Sequence, residues 1–205
     1  MDPRRAIAFS KKINGWYAEE ELEALWKMCV DAVQSCGIVE VGCFAGRTSS
    51  LLAHFVKTLA APVPLIFIDP YSPDYMKGFN IEGAKSQFTS CLREIGTPYK
   101  LIERRTVDTN PADLPSQIDL VHVDGDHTKN AVENDCQLLL PLVREGGIAC
   151  FHDYGRQAFA VTAVVDNMCA DWTLIGTFGT VRALRKKTKA PMQSERFQDT
   201  RALWA

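Results

Sequence analysis

Two carboxylates and an imidazole stand within four residues at Asp124-Gly125-Asp126-His127, and a second imidazole and carboxylate follow at His152-Asp153. These are the side chains that move protons near neutral pH and that ligate divalent cations. Crowded titratable groups shift one another's proton affinity, a pattern concentrated at functional sites. Gly125 admits the irregular turn that places them together. A different chemistry is offered by Glu40-Val41-Gly42-Cys43-Phe44-Ala45-Gly46-Arg47-Thr48, where an apolar run ends in a glycine-punctuated turn and opens a helix with unpaired N–H groups. The turn lacks G-x-G-x-x-G, because Phe44 stands at the second glycine, and it is one residue short of a Walker A loop, with Arg47 for lysine. Phosphate cradling is disfavoured. The missing dinucleotide fingerprint weighs equally against a nicotinamide-dependent oxidoreductase on a similar sheet.

Alternating strands and helices must carry these groups. Largely apolar runs at 38–41, 64–69, 118–123 and 148–151 read as strands, and the unbroken apolarity of 64–68 is that of a strand buried on both faces of a parallel sheet, with a weaker strand at 99–104. Between them, apolar residues at helical spacing predict helices over 18–35, 46–59, 80–95, 129–143 and 156–169. Two final strands, 172–178 and 181–185, are joined by Gly179-Thr180, a link so short that they must be antiparallel. The resulting fold class is α/β: a doubly wound, seven-stranded, mostly parallel sheet with an antiparallel last strand. Residues 1–17 read as a polar N-terminal lead, 18–186 as a single domain, and 187–205 as a flexible tail in which Trp204 packs on a partner or over the site in a minority reading. Asp69 closes the second strand, where an acidic side chain meets a ribose diol in nucleotide-binding sheets. Asp108, in the turn after the third strand, is placed to meet an adenine amino group. His54 and His122 read as satisfied structural histidines, and Arg47 either reaches a carboxylate or faces solvent.

Composition narrows the partners. The 205 residues suit one full core, and a formal charge of −2 offers no basic surface for nucleic acid or membrane. Seven cysteines without a C-x-x-C pair read as free thiols of a reducing cytoplasm. No signal peptide or membrane span is expected.

Gly15-Trp16, Glu40-Val41-Gly42 with Gly46-Arg47-Thr48, Ile68-Asp69-Pro70-Tyr71, Val123-Asp124-Gly125-Asp126-His127, Gly146-Gly147 and His152-Asp153-Tyr154 occur in this order across residues 14–186. The set resembles the macrocin O-methyltransferase-like branch of class I S-adenosylmethionine-dependent methyltransferases. The resemblance implies that Glu40, Gly42, Gly46, Thr48, Asp69, Asp108 and Asp124 border the cofactor. It also implies a divalent ion, Mg²⁺ or Mn²⁺, on Asp124, His152 and Asp153, although His152 departs from the oxygen donors magnesium prefers. His127, or else Asp126, would be the base. The implied acceptor is a small hydroxylated molecule: a sugar, phenol or polyketide. A monomer and a homodimer both stay open. A non-catalytic binder has no evident need for the five titratable groups.

Overall fold

In a computed structural model of the chain, residues 2–74, 76 and 78–188 are described. The strands β1 (Ile38–Val41), β2 (Leu65–Ile68), β3 (Lys100–Ile102), β4 (Ile118–Val123), β5 (Val143–Phe151), β6 (Thr173–Phe178) and β7 (Val181–Arg185) form one sheet in the order β3-β2-β1-β4-β5-β7-β6. The first five run parallel, and β7 lies antiparallel between β5 and β6. The expected fold class is borne out. Every residue of β1, β2 and β4 is buried, which explains their mostly apolar make-up; the exceptions, Glu40, Asp119 and His122, are buried with partners.

Helices cover both faces. On one side α1 (Pro3–Ser10), α2 (Glu19–Ala32), α3 (Arg47–Val56) and α4 (Ile81–Ile95) pack over Ile38, Leu65, Phe67 and Leu120; on the other, α5 (Lys129–Leu139) and α6 (Val161–Met168) pack over Val39, Ile66, Val121 and Val123. Strand alternation sorts these side chains to opposite faces.

Three expectations need correction. The stretch read as a polar lead begins with α1, opened by Asp2 and Pro3, whose Ala6, Ile7 and Ser10 are buried against α3. That cover explains why α3 is buried from Thr48 through Val56, with Ser10 and Ser50 hydroxyls paired at 2.8 Å in the seam. Helix α5 ends at Leu139 and β5 already starts at Val143, so Gly146-Gly147 lies inside the strand, where Lys186 closes the ladder. Helix α6 starts only at Val161, because the segment after His152 turns through Asp153 (φ 58°) and Gly155 (φ 87°). The tail beyond residue 188, Trp204 included, lies outside the described residues.

At the amino edge of the sheet the fully buried Asp119 accepts the N–H groups of Gln34 (3.1 Å), Cys36 (2.7 Å) and Gly37 (2.9 Å), and Arg144 Nε at 2.5 Å. It fixes where β1 begins, and hence where its far end delivers Gly42. Burial alone would raise its pKa, but Arg144 and the three N–H donors outweigh it and hold the carboxyl below the ordinary range. Its contribution is therefore present above the ordinary carboxylate range and lost as pH falls through the lowered value. Asp119→Ala should cost about 3–5 kcal/mol in urea unfolding at pH 7, with the deficit shrinking in acid.

Candidate active site

The functional groups gather at the carboxyl edge of the sheet, around a cavity of about 750 Å³ lined from the loops after β1, β2, β3, β4 and β5. One end is the turn after β1. Gly42 has φ 81°, and a Cβ there would sit 2.0 Å from the Asp124 carbonyl oxygen, so only glycine lets the β1 turn lie against the β4 turn. Phe44 (φ 45°) and Gly46 (φ 94°) continue the left-handed path into α3. Asp69, 6% exposed, braces this turn: Oδ2 accepts Cys43 N (2.8 Å) and Phe44 N (3.0 Å), and Oδ1 accepts Tyr71 N (2.8 Å). Burial raises its pKa despite these donors. A carboxylate has about four lone-pair positions, so one remains for a ligand hydroxyl.

The other end is built by the turns after β4 and β5. His152, buried and stacked on Tyr17 (ring centroids 4.2 Å apart, 22°), places Nδ1 2.9 Å from Asp124 Oδ1 and 3.4 Å from Asp153 Oδ2. His127, stacked on Phe159 at 4.1 Å, brings Nε2 to 3.0 Å from Asp153 Oδ2, an ion-pair contact without hydrogen-bond alignment. Arg156 pairs with the other Asp153 oxygen. Burial opposes charge on both imidazoles, but the Asp124 and Asp153 carboxylates facing them outweigh it, pushing His127 up to about 9 and His152 up to about 10. The same partners overcome burial in the reverse sense and hold Asp124 and Asp153 below the ordinary carboxylate range.

Among the residues singled out from the sequence, Gly42, Thr48, Asp69, Asp124, Asp126, His127, His152 and Asp153 all line the cavity. Asp126 is partly committed, its Oδ1 accepting Thr128 N at 2.9 Å in the turn that opens α5. Three others are elsewhere. Glu40 is fully buried beneath the turn, bonded to Ser49 and, at 2.9 Å, to His122 Nδ1; it shares the strand parity of Ile38 and so faces α3. Gly46 caps α3 where a Cβ would press on Cys91 Sγ (3.1 Å) and Phe88 Cα (3.2 Å), a packing role between α3 and α4. Asp108 points outward, paired with Arg105 Nε at 2.8 Å, while Thr106 and Val107 line the cavity in its place.

Several contributors went unread. Tyr17 is buried, its hydroxyl bonded to His122 Nε2, which makes His122 part of a Tyr17–His122–Glu40–Ser49 chain under the site. Arg47 is neither solvent-facing nor on a carboxylate: it donates to the Ile13 (2.9 Å) and Tyr17 (2.7 Å) carbonyls and ties residues 13–17 over the cavity. Glu21 accepts Ala18 N and Thr180 N, both at 2.8 Å, and sits 3.6 Å from His152 Nε2; a carboxylate three residues after a helix start was its signal. Asp135 lines the cavity, accepts Thr106 Oγ1 at 2.5 Å, and is raised to about 6 by burial; a carboxylate beside the apolar stripe of α5 was the clue.

Sheet order and site together define the Rossmann-like methyltransferase fold. The family described as a methyltransferase domain matches residues 39–154, and the chain belongs to it. Solved structures similar to it include the O-methyltransferase NovP (TM-score 0.66, 14% identity, 83% of this chain and 81% of that one). CalS11, a TDP-rhamnose 3'-O-methyltransferase of calicheamicin biosynthesis, superposes with a TM-score of 0.64 at 15% identity over 89% of this chain and 92% of that one. The Podospora anserina methyltransferase PaMTH1, bound to S-adenosylhomocysteine, gives 0.64 at 15% over 91% and 88%. A curated relative, the uncharacterized protein R132 of Acanthamoeba polyphaga mimivirus, is 29% identical over 140 residues, 65% of this chain. The matched stretch spans 59% of that relative's length.

The electrostatics yield a direct expectation. His127 is held above its ordinary value of 6.5, so its contribution to stability is complete below that pH and lost as pH rises through about 9. In EDTA the His127 ring proton followed by NMR should titrate near 9. Asp153→Asn, which removes one of the two facing carboxylates, should lower the midpoint, with Asp124 still holding it above the ordinary 6.5.

Proposed function

We propose that this chain transfers a methyl group from S-adenosylmethionine to a hydroxyl oxygen of a small acceptor. The observation that carries the reading is the meeting, in one cavity, of the braced β1 turn with the paired imidazoles and carboxylates of the β4 and β5 turns. S-adenosylmethionine, when bound, supplies a methyl group on a sulfonium that needs no further activation. The protein's task is to align the acceptor oxygen, exclude water and take a proton. Gly42 lets a ligand lie against backbone, Thr48 and the first turn of α3 present donors, and the spare lone pair of Asp69 meets a ribose hydroxyl. His127, once neutral, accepts the acceptor's proton, and Asp153 stabilises the imidazolium so formed. The high proton affinity of His127 makes turnover climb with pH toward about 9. Asp126, partly spent on Thr128 N, is the weaker base candidate.

Asp124, His152 and Asp153 each offer one ligand atom, all within 4.8 Å of one another. One nitrogen and two oxygens fit a borderline ion such as Mn²⁺ better than Mg²⁺, provided His152 gives up its Nδ1 proton. An ion there would acidify the acceptor hydroxyl. No helix among the described residues is long and apolar enough to cross a membrane, and all seven cysteines are free, which suits a reducing cytoplasm.

Thermal unfolding with S-adenosylmethionine, S-adenosylhomocysteine or NAD tests the reading. A ligand at about 100 times its Kd adds about 2.7 kcal/mol, a rise in Tm of roughly 5–10 °C for a domain of this size. The two sulfur ligands should give it and NAD should not; a shift with NAD alone would sink the methyltransferase reading. Repeating the series with Mn²⁺, Mg²⁺ and EDTA decides the ion. With any accepted hydroxyl compound, His127→Ala should lower kcat about 10²–10⁴-fold, leave S-adenosylhomocysteine affinity intact, and exceed the effect of Asp126→Ala.

A further inference from the structure

We propose that the acceptor is a planar phenol, its ring packed against a wall formed by Trp16, Phe44 and Phe79 and its hydroxyl directed to the His127–Asp153 end of the same cavity. The proposal rests on the methyltransferase reading above and narrows its substrate class.

The three rings come from segments far apart in the chain yet form one surface. Trp16 lies 4.9 Å from Phe44 (37°) and 5.6 Å from Phe79 (84°), and Phe44 and Phe79 are 5.9 Å apart at 84°. All three line the cavity, and although they touch one another, Trp16 remains 59% and Phe79 49% exposed. Large aromatic area left facing a cavity marks a surface built to be covered. The wall is also held in place. Phe44 sits at φ 45°, with its N–H on Asp69 and its carbonyl taking the Tyr71 hydroxyl at 2.9 Å. Trp16 lies between the two carbonyls gripped by Arg47. Holding a non-glycine residue in the left-handed region costs energy, and here that cost keeps one ring aimed at the wall. Rigid rings lose little entropy on binding and favour a flat partner in offset or edge-to-face contact.

The chemistry of the wall selects among hydroxylated acceptors. Its three rings offer a single hydrogen-bonding group, the Trp16 indole N–H. A sugar would bury several hydroxyls there without partners, whereas a phenol keeps its polar atom at one end. The opposite end of the cavity supplies that polar pole: His127, flattened on Phe159, beside Asp153.

Equilibrium binding to the S-adenosylhomocysteine complex tests this, with 2-naphthol as the phenolic probe and methyl α-L-rhamnopyranoside as the sugar probe. The phenol should bind and the sugar should not. Trp16→Ala and Phe79→Ala should each weaken 2-naphthol about tenfold or more, and Trp16→Phe should stay within about threefold of wild type. S-adenosylhomocysteine affinity should be unchanged in all three, which also shows them folded. The proposal is overturned by a sugar that binds more tightly than the phenol, by 2-naphthol that fails to bind, or by an unchanged 2-naphthol Kd in the Trp16→Ala/Phe79→Ala protein. A parallel loss of S-adenosylhomocysteine affinity also overturns it, since the rings would then belong to the cofactor's site. Wild-type protein that does not bind S-adenosylhomocysteine would overturn the methyltransferase reading and this one together, whereas the other failures remove the phenol alone.

Discussion

Where β1 and β4 end side by side, the chain brings the Gly42 α-carbon so near the Asp124 carbonyl that a methyl group would overlap it. The register Val41↔Val123 places the two turns together, and the left-handed φ at Gly42 lets the first fold flat against the second. A ligand cradled by the β1 turn is thus a neighbour of every titratable group on the β4 and β5 turns. Asp69 then stiffens the turn from β2, and Tyr71, itself at φ 44°, returns its hydroxyl to Phe44. Three non-glycine residues with positive φ, Phe44, Tyr71 and Asp153, all border this cavity; such strain persists only where the surroundings over-determine it.

The second constraint is charge. Asp124 and Asp153 are drawn into a site poor in water, where unpaired carboxylates would be neutralised. The chain instead surrounds them with His152, His127 and Arg156. Those partners set the proton affinities of the site. Any ion at Asp124, His152 and Asp153 must compete with a proton already held between a nitrogen and two carboxylates. His152 is in turn stacked on Tyr17 and faced by Glu21, so its ring has little freedom to swing aside.

Much of this arrangement is legible in the sequence, because it depends on local patterns. Uniform apolar runs mark the parallel strands, and carboxylates at their carboxyl ends, Asp69 and Asp124, mark the edge where the loops converge. The hairpin link at Gly179-Thr180 forces the antiparallel strand. Glu40 lies beneath the turn instead of on the cavity wall because strand parity decides which face a side chain takes, and its parity is that of the core residue Ile38. Asp108 faces outward because it follows Arg105 by one three-residue turn, Thr106–Asp108, so the two side chains share the solvent face and pair there. The contributions of Tyr17, Glu21 and Arg47 are non-local: each acts on a partner at least 30 residues away, and no spacing rule reaches that far.

The N-terminal segment shows what that blind spot hides. Helix α1 is only eight residues long, too short for a helical period to show, so as a string it reads as a lead; yet Ile7, Ile13 and Tyr17 are buried, and α1 lies on α3, the helix that opens from the β1 turn. Arg47, the first residue of α3, grips the carbonyls of residues 13 and 17, which leaves Trp16 at the cavity rim and drives Tyr17 between His122 and His152. One residue at the mouth of the turn therefore fixes both the wall of the cavity and the stack beneath His152. The segment that covers the site and the titratable groups beneath it are consequently one packed unit, joined through the Arg47 guanidinium, whose two carbonyl partners lie 30 and 34 residues away.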